Sequence, residues 1–153
     1  MHASKYSISA KIMQFISLKL FEMARACYTI NTVNHDLFLL TALARELDGA
    51  LKDARVTKIT QPDDTELRFS LYTKSGNLTL LISCCPQTAR LHLTTTKRQA
   101  PQTAPPFCML LRKHLSGARL VGVEVYNFDR IIRLEFLSKT ELYEPARFFL
   151  YVE

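Results

Sequence analysis

From Asp36 onward the apolar positions change period three times, and each change marks a boundary between helix and strand. From Asp36 to Lys52 they recur at helical spacing, with Leu37, Leu40, Leu43 or Ala44, Leu47 and Leu51 on one face, which predicts an amphipathic helix with Asp36 as its N-cap. Arg55 to Gln61 then reads as a short strand running into a turn at Pro62-Asp63-Asp64. Over Glu66 to Tyr72 the period drops to two, with Leu67, Phe69 and Leu71 inside, so this strand is expected to have one wet face. Lys74-Ser75-Gly76-Asn77 signals a hairpin, Leu78 to Ser83 returns as its partner, and Arg90 to Thr94 is a fourth strand with Leu91 and Leu93 inward.

A polar loop from Thr95 to Pro106 leads through Pro105-Pro106 into a second helix, Phe107 to Leu115, which Gly117 is suited to end. Leu120 to Tyr126 and Arg130 to Leu137 form a hairpin around Asn127-Phe128-Asp129, and Arg147 to Val152 is a last strand. Two helices and about seven strands predict an α+β fold with a mainly antiparallel sheet or sandwich. An earlier stretch, Met13 to Ala26, has Met13, Ile16, Leu20, Met23 and Cys27 on one helical face. Gln14, Ser17, Lys19 and Glu22 interrupt it where the core of a signal peptide is unbroken.

Composition narrows the class further. A chain of 153 residues, 48% hydrophobic and 22% charged, has the makeup of a soluble globular domain, not of a disordered tail or a collagen. It contains no apolar run of about 18 residues that would span a membrane. The four cysteines, Cys27, Cys84, Cys85 and Cys108, have neither zinc-knuckle spacing nor the density of a disulfide scaffold, and are expected to be reduced thiols in a cytosolic protein. The net charge of +6 suits a partner carrying phosphates without demanding one. Half of it belongs to residues 1–33, which hold Lys5, Lys11, Lys19 and Arg25 against Glu22 alone.

Templates for catalysis are missing: no nucleophile elbow, paired-histidine zinc motif, phosphate loop or dinucleotide fingerprint occurs. His92 alternates out of phase with Leu91 and Leu93, so it is expected to face solvent. Arg112, Lys113 and His114 end the second helix, where cations compensate the dipole and Arg112 and Lys113 are candidate phosphate contacts. Asp129 and Arg130 put a carboxylate and a guanidinium at a hairpin tip, as a surface ion pair, a turn-stabilising Asp or a recognition pair.

The order of these segments resembles the N-terminal domain of the NFACT family of ribosome-associated quality-control factors. The resemblance rests on Asp36 with Ala44-Arg45-Glu46-Leu47, Arg55 to Pro62, Pro86 to Thr94, Pro105 to Leu115, and Phe128 to Ile132, and covers residues 34–153. It implies a fold similar to the N-terminal domain of formamidopyrimidine-DNA glycosylases. Their lyase chemistry is not implied, because neither Met1-His2 nor Asn34-His35 supplies the required proline and glutamate. It further implies a cytoplasmic, cofactor-free binding module rather than an enzyme. Such a module engages an obstructed large ribosomal subunit holding peptidyl-tRNA, and recruits alanyl-tRNA for untemplated C-terminal tailing of the stalled chain. Family residues needed for tRNA recruitment fall on Asp36, Asp129 and Arg130; no metal site is implied. Bacterial members are often labelled fibronectin- or fibrinogen-binding proteins, which makes an adhesin-like surface protein the alternative. The resemblance also implies that residues 1–33 are an extension outside the domain, with Val33 at the family's usual start. Residues 34–153 are then a domain incomplete at its C-terminus, since family members continue for several hundred residues.

Overall fold

The computed structural model describes residues 37–139 and 144–153. The Asp36 cap, the stretch from Met13 to Ala26 and Cys27 lie outside the described residues. Helix α1 (Leu37–Leu51) is followed by strands β1 (Arg55–Asp63), β2 (Glu66–Thr73), β3 (Gly76–Ser83) and β4 (Arg90–Thr94), helix α2 (Pro106–Leu115), and strands β5 (Arg119–Val125), β6 (Ile132–Lys139) and β7 (Pro145–Val152). The described strands form one antiparallel sheet in the order β4-β3-β2-β1-β5-β6-β7. This is the expected α+β class.

The choice between sheet and sandwich is resolved at one joint. β1 pairs with β5 at Arg55 and Arg119, flanked by Val56 N donating to Ala118 O at 2.8 Å, Leu120 N to Ala54 O at 2.8 Å, Gly117 N to Val56 O at 3.0 Å and Asp53 N to Leu120 O at 2.8 Å, and no further residue pair extends this ladder. Phe69 on β2 and Phe136 on β6 nevertheless stack with ring centroids 5.9 Å apart. Strands three places apart in a flat sheet are separated by about 14 Å, so the sheet bends at the joint and its two wings close on a shared core. That core includes Ile59, Phe69, Leu80 and Ile82 from one wing and Leu120, Leu134, Phe136 and Leu150 from the other.

The helices fill the opening between the wings. α1 buries Leu40, Ala44, Leu47 and Leu51, the predicted stripe with Ala44 at its centre, and packs mainly on β5. Its Asp48 Oδ1 accepts the Val123 N–H at 2.9 Å, supplying the acceptor that an adjacent strand would otherwise provide. α2 buries Phe107, Cys108, Leu111 and Leu115 and packs on β1 and β6. From it Arg112 Nε donates to Ile59 O at 2.8 Å and Cys108 Sγ to the same oxygen at 3.7 Å. Burial pushes the Cys108 thiol above its ordinary pKa. The predicted helix stop is observed: Gly117, at φ +75°, takes the left-handed conformation that side chains resist. No described helix is long and apolar enough to cross a membrane.

Three expectations fail for physical reasons. Pro62 and Asp63 extend β1 instead of turning, because the register shifts between Thr60 and Asp63 and accommodates the missing proline N–H; the turn falls at Asp64-Thr65. The expected wet face of β2 is covered over its first half, with Glu66 only 3% and Arg68 only 7% exposed, while Ser70 is half-buried and Tyr72 exposed. Residues just after β4 fold back across it: Arg68 Nη1 donates to Thr96 O at 2.6 Å, and Arg98 bridges Asp63 at 2.8 Å and Glu66 at 3.2 Å. His92 faces this same side of the sheet, opposite Leu81, and is half-buried rather than free in solvent.

This polar cover makes stability respond to acid. Burial pulls the Asp63 carboxyl upward, but hydrogen bonds from the Thr65 amide and hydroxyl, together with the Arg98 guanidinium, outweigh it and hold the group below its ordinary pKa. A carboxyl depressed in the folded state contributes stability in full above its unfolded pKa of about 4, and loses it as pH falls through the folded value. Asp63→Asn is therefore expected to lower the urea midpoint near pH 6 and to flatten its decline below about pH 4. Parallel midpoint curves for the two proteins across that range would exclude the carboxyl as a source of acid sensitivity.

Candidate functional site

The hairpin joining β5 to β6 ends in a turn that local sterics disfavour. Asn127 and Phe128 both have φ +55°, and Asp129 N donates to Tyr126 O at 3.1 Å, the pattern of a type I′ turn with both central residues left-handed. Asn accepts that conformation readily, whereas for Phe it costs about 1–2 kcal/mol. No burial offsets the cost, because Phe128 is 92% exposed. The hairpin's two-residue turn imposes this backbone, and it leaves the Phe128 ring outward, where it adds nothing to the core.

The carboxylate and guanidinium at this tip do different jobs. Asp129 Oδ1 accepts the Arg130 N–H at 2.7 Å, fixing the main chain just after the turn. Arg130 is exposed, and among the described residues no carboxylate lies within ion-pair distance of its guanidinium. The simple ion pair between neighbours is thus replaced by a side chain bracing the backbone, which leaves a cation available. Phe128, Asp129 and Arg130 present a π-face, a bound carboxylate and a fork of N–H donors together.

The outward faces of β5, β6 and β7 anchor the base of this tip. Arg133 lies over the Tyr126 ring at 5.4 Å and the Phe149 ring at 5.1 Å, and pairs with Glu124 across the ladder. Tyr126 also meets Tyr151 edge-on at 5.1 Å. Burial works against the Arg133 charge, but Tyr151 and Glu124 outweigh it and raise its pKa further. Tyr126 therefore enters the turn already clamped on two sides.

The other candidate cations stand apart from the tip. Arg112 is half-buried and anchored to β1 through Nε; Lys113 is exposed beside it. The carbonyl of His114 accepts from Ser138 Oγ at 2.8 Å, which puts the end of α2 beside the last residues of β6. The hairpin tip lies at the opposite end of the same ladder, about 20 Å away along β5. Arg112 and Lys113 are consequently not brought together with Asp129 and Arg130, and Asp36 lies outside the described residues. The sequence reading missed Phe128 as a displayed ring and the Tyr126-Arg133-Phe149-Tyr151 clamp. Its available signal was three aromatics at positions out of phase with the buried Leu and Phe residues of their strands.

Comparison with known proteins identifies the company this geometry keeps. A family model described as NFACT N-terminal and middle domains matches residues 36–153. A relative from Bacillus subtilis, named Rqc2 homolog RqcH, is 35% identical over 111 residues, covering 72% of this chain and 20% of the relative. Ribosome quality control complex subunit 2 of Saccharomyces cerevisiae is 34% identical over 99 residues, covering 63% of this chain and 9% of its own length. The crystal structure of the N-terminal domain of fibronectin-binding protein PavA from Streptococcus pneumoniae superposes with a TM-score of 0.74 at 32% identity, over 78% of this chain and 45% of that one. The chain spans about a fifth of the length of the bacterial curated relatives it matches. Because the family match runs from just before α1 to the final residue and takes in every described element, the chain belongs to the NFACT family.

Proposed function

We propose that this chain is a tRNA- and ribosome-binding module of a quality-control factor, and that the β5–β6 tip contacts tRNA. The observation that carries the reading is the exposed Phe128-Asp129-Arg130 display, held out by a left-handed turn and braced from below. Arg130 pairs with phosphate or a base edge, Phe128 offers a stacking face, and Asp129 fixes the turn or accepts from a ribose hydroxyl. The names of the relatives support a setting in ribosome quality control. The partner proposed there is an obstructed large ribosomal subunit with peptidyl-tRNA, to which alanyl-tRNA is brought for untemplated tailing. In this reading the chain binds and recruits without catalysing, in the cytoplasm and without a cofactor. Asp36 acts near the start of α1, and Arg112 and Lys113 supply phosphate contacts away from the tip. The fold is related to the N-terminal domain of formamidopyrimidine-DNA glycosylases.

The test is binding of deacylated tRNA and alanyl-tRNA to the chain, followed by fluorescence anisotropy. Asp129→Ala frees the Arg130 backbone and is expected to weaken both by about three- to tenfold, since the hydrogen bond acts indirectly, by ordering an exposed turn, and contributes about 0.7–1.4 kcal/mol. Absence of tRNA binding by the unmodified chain sinks the proposal. A second reading, fibronectin binding, is favoured only by the names of structural neighbours. It is tested by immobilised fibronectin with the same two proteins.

A further inference from the structure

The outward face of the β1–β4 wing carries a second surface that the hairpin tip does not use. Antiparallel register aligns Lys58 with Ser70, Ser70 with Thr79, and Thr79 with Thr94, so one row of polar side chains crosses four strands. Three strand spacings give this row a length of about 14 Å. The segment after β4 walls one side, and the open groove so formed holds about 540 Å³. Four cations line it, Lys58, Arg68, Lys97 and Arg98, with neither a carboxylate nor an aromatic side chain among the lining residues.

Two carboxylates of this wing, Glu66 and Asp63, pair with the arginines of the groove, Arg68 and Arg98. Lys58 and Lys97 are exposed, and neither has a carboxylate partner among the described residues. The Arg98 guanidinium, two unpaired ammonium groups and a line of hydroxyl donors form a surface for a string of anions, with the enclosed Arg68 adding positive charge beneath it. Its length fits two or three consecutive phosphates, and its lining offers no aromatic ring on which bases could stack.

We infer that this groove binds the phosphodiester backbone of RNA without reading its sequence, as a contact separate from the hairpin tip. The inference rests on the nucleic-acid reading of the chain and adds a second site to it. Lys58 and Lys97 are the informative positions, because exposed, unpaired side chains can be changed without disturbing the fold.

The probe is a 5′-labelled 12-nucleotide oligo(U), titrated against the full chain at several salt concentrations. Lys58→Gln combined with Lys97→Gln is expected to weaken binding at least fivefold and to reduce the slope of log affinity against log salt by about 1.4, or 0.7 per lost single-strand phosphate contact. Lys52→Gln combined with Lys139→Gln removes the same charge elsewhere and is expected to change affinity less than twofold. Arg130→Ala is likewise expected to leave oligo(U) binding within twofold, so failure of the tip appears in tRNA binding while failure of the groove appears here. Any of three results overturns the inference: no oligo(U) binding by the unmodified chain, a loss below fivefold in the groove variant, or an equal loss in the control pair. Competition by poly-glutamate as strong as that of unlabelled oligo(U) also overturns it, because the groove would then recognise negative charge and not a phosphodiester backbone.

Discussion

Glu66→Ala is expected to destabilise the fold by about 3–5 kcal/mol, the cost of leaving a buried ion without its partner. Arg68 Nε lies 2.6 Å from Glu66 Oε1, and both side chains are almost wholly enclosed. With Glu66 gone, the Arg68 guanidinium keeps the Thr96 carbonyl and loses its compensating charge, while Arg98 falls back on Asp63 alone. An exposed pair such as Arg119–Asp53 gives the contrast, where about 0–1 kcal/mol is at stake. Glu66→Leu combined with Arg68→Met removes both charges at similar volume and should recover most of the loss. Urea unfolding monitored by circular dichroism measures all three. A loss under about 1 kcal/mol for Glu66→Ala, at unchanged slope, would mean that water reaches Arg68 and that the polar cover is not a closed network.

Arg130→Ala is expected to weaken tRNA binding by roughly ten- to a hundredfold while leaving thermal unfolding unchanged. A charge-assisted contact of this kind contributes about 1.5–3 kcal/mol, which sets that range. The fold is spared because Arg130 is exposed and its backbone bond to Asp129 survives the change. Arg130→Lys should restore only part of the affinity, since an ammonium keeps the charge and loses the fork that binds phosphate or a base edge through two hydrogen bonds. Equal rescue by Lys would point to bulk electrostatics. Binding of Arg130→Ala within twofold of the unmodified chain would remove the hairpin tip from the interface.

Most of the fold was legible because its elements announce themselves through period. The α1 stripe, the alternation of Leu67, Phe69 and Leu71, and Gly117 after α2 each reflect a local constraint that one stretch of chain expresses by itself. What covers a polar face is not local. Glu66 and Arg68 looked solvent-facing because the residues that enclose them, Thr96 and Arg98, come some thirty positions later and lie in a loop without periodicity. The bend between β1 and β5 was equally hidden, for it depends on two rings, Phe69 and Phe136, that meet only in space.

The site divides in the same way. Asp129 and Arg130 could be singled out as a charged pair at a hairpin tip, but the division of labour between them needed backbone geometry. Nothing in the residue types distinguishes a carboxylate that salt-bridges its neighbour from one that accepts the neighbour's N–H. Arg112 shows the converse, as a cation read from sequence as a surface contact is tied to the Ile59 carbonyl of a neighbouring strand.

The single joint between the wings has a consequence for how the chain assembles. Every ladder but one links strands consecutive in sequence, so each wing is built from short-range contacts. Only the β1–β5 pairing requires distant stretches of chain to meet, and each doubling of the loop it closes adds about 0.6 kcal/mol of lost chain entropy. The sheet thus concentrates its long-range ordering in one closure. The ring stack in the core and the two helix plugs are the contacts that offset it.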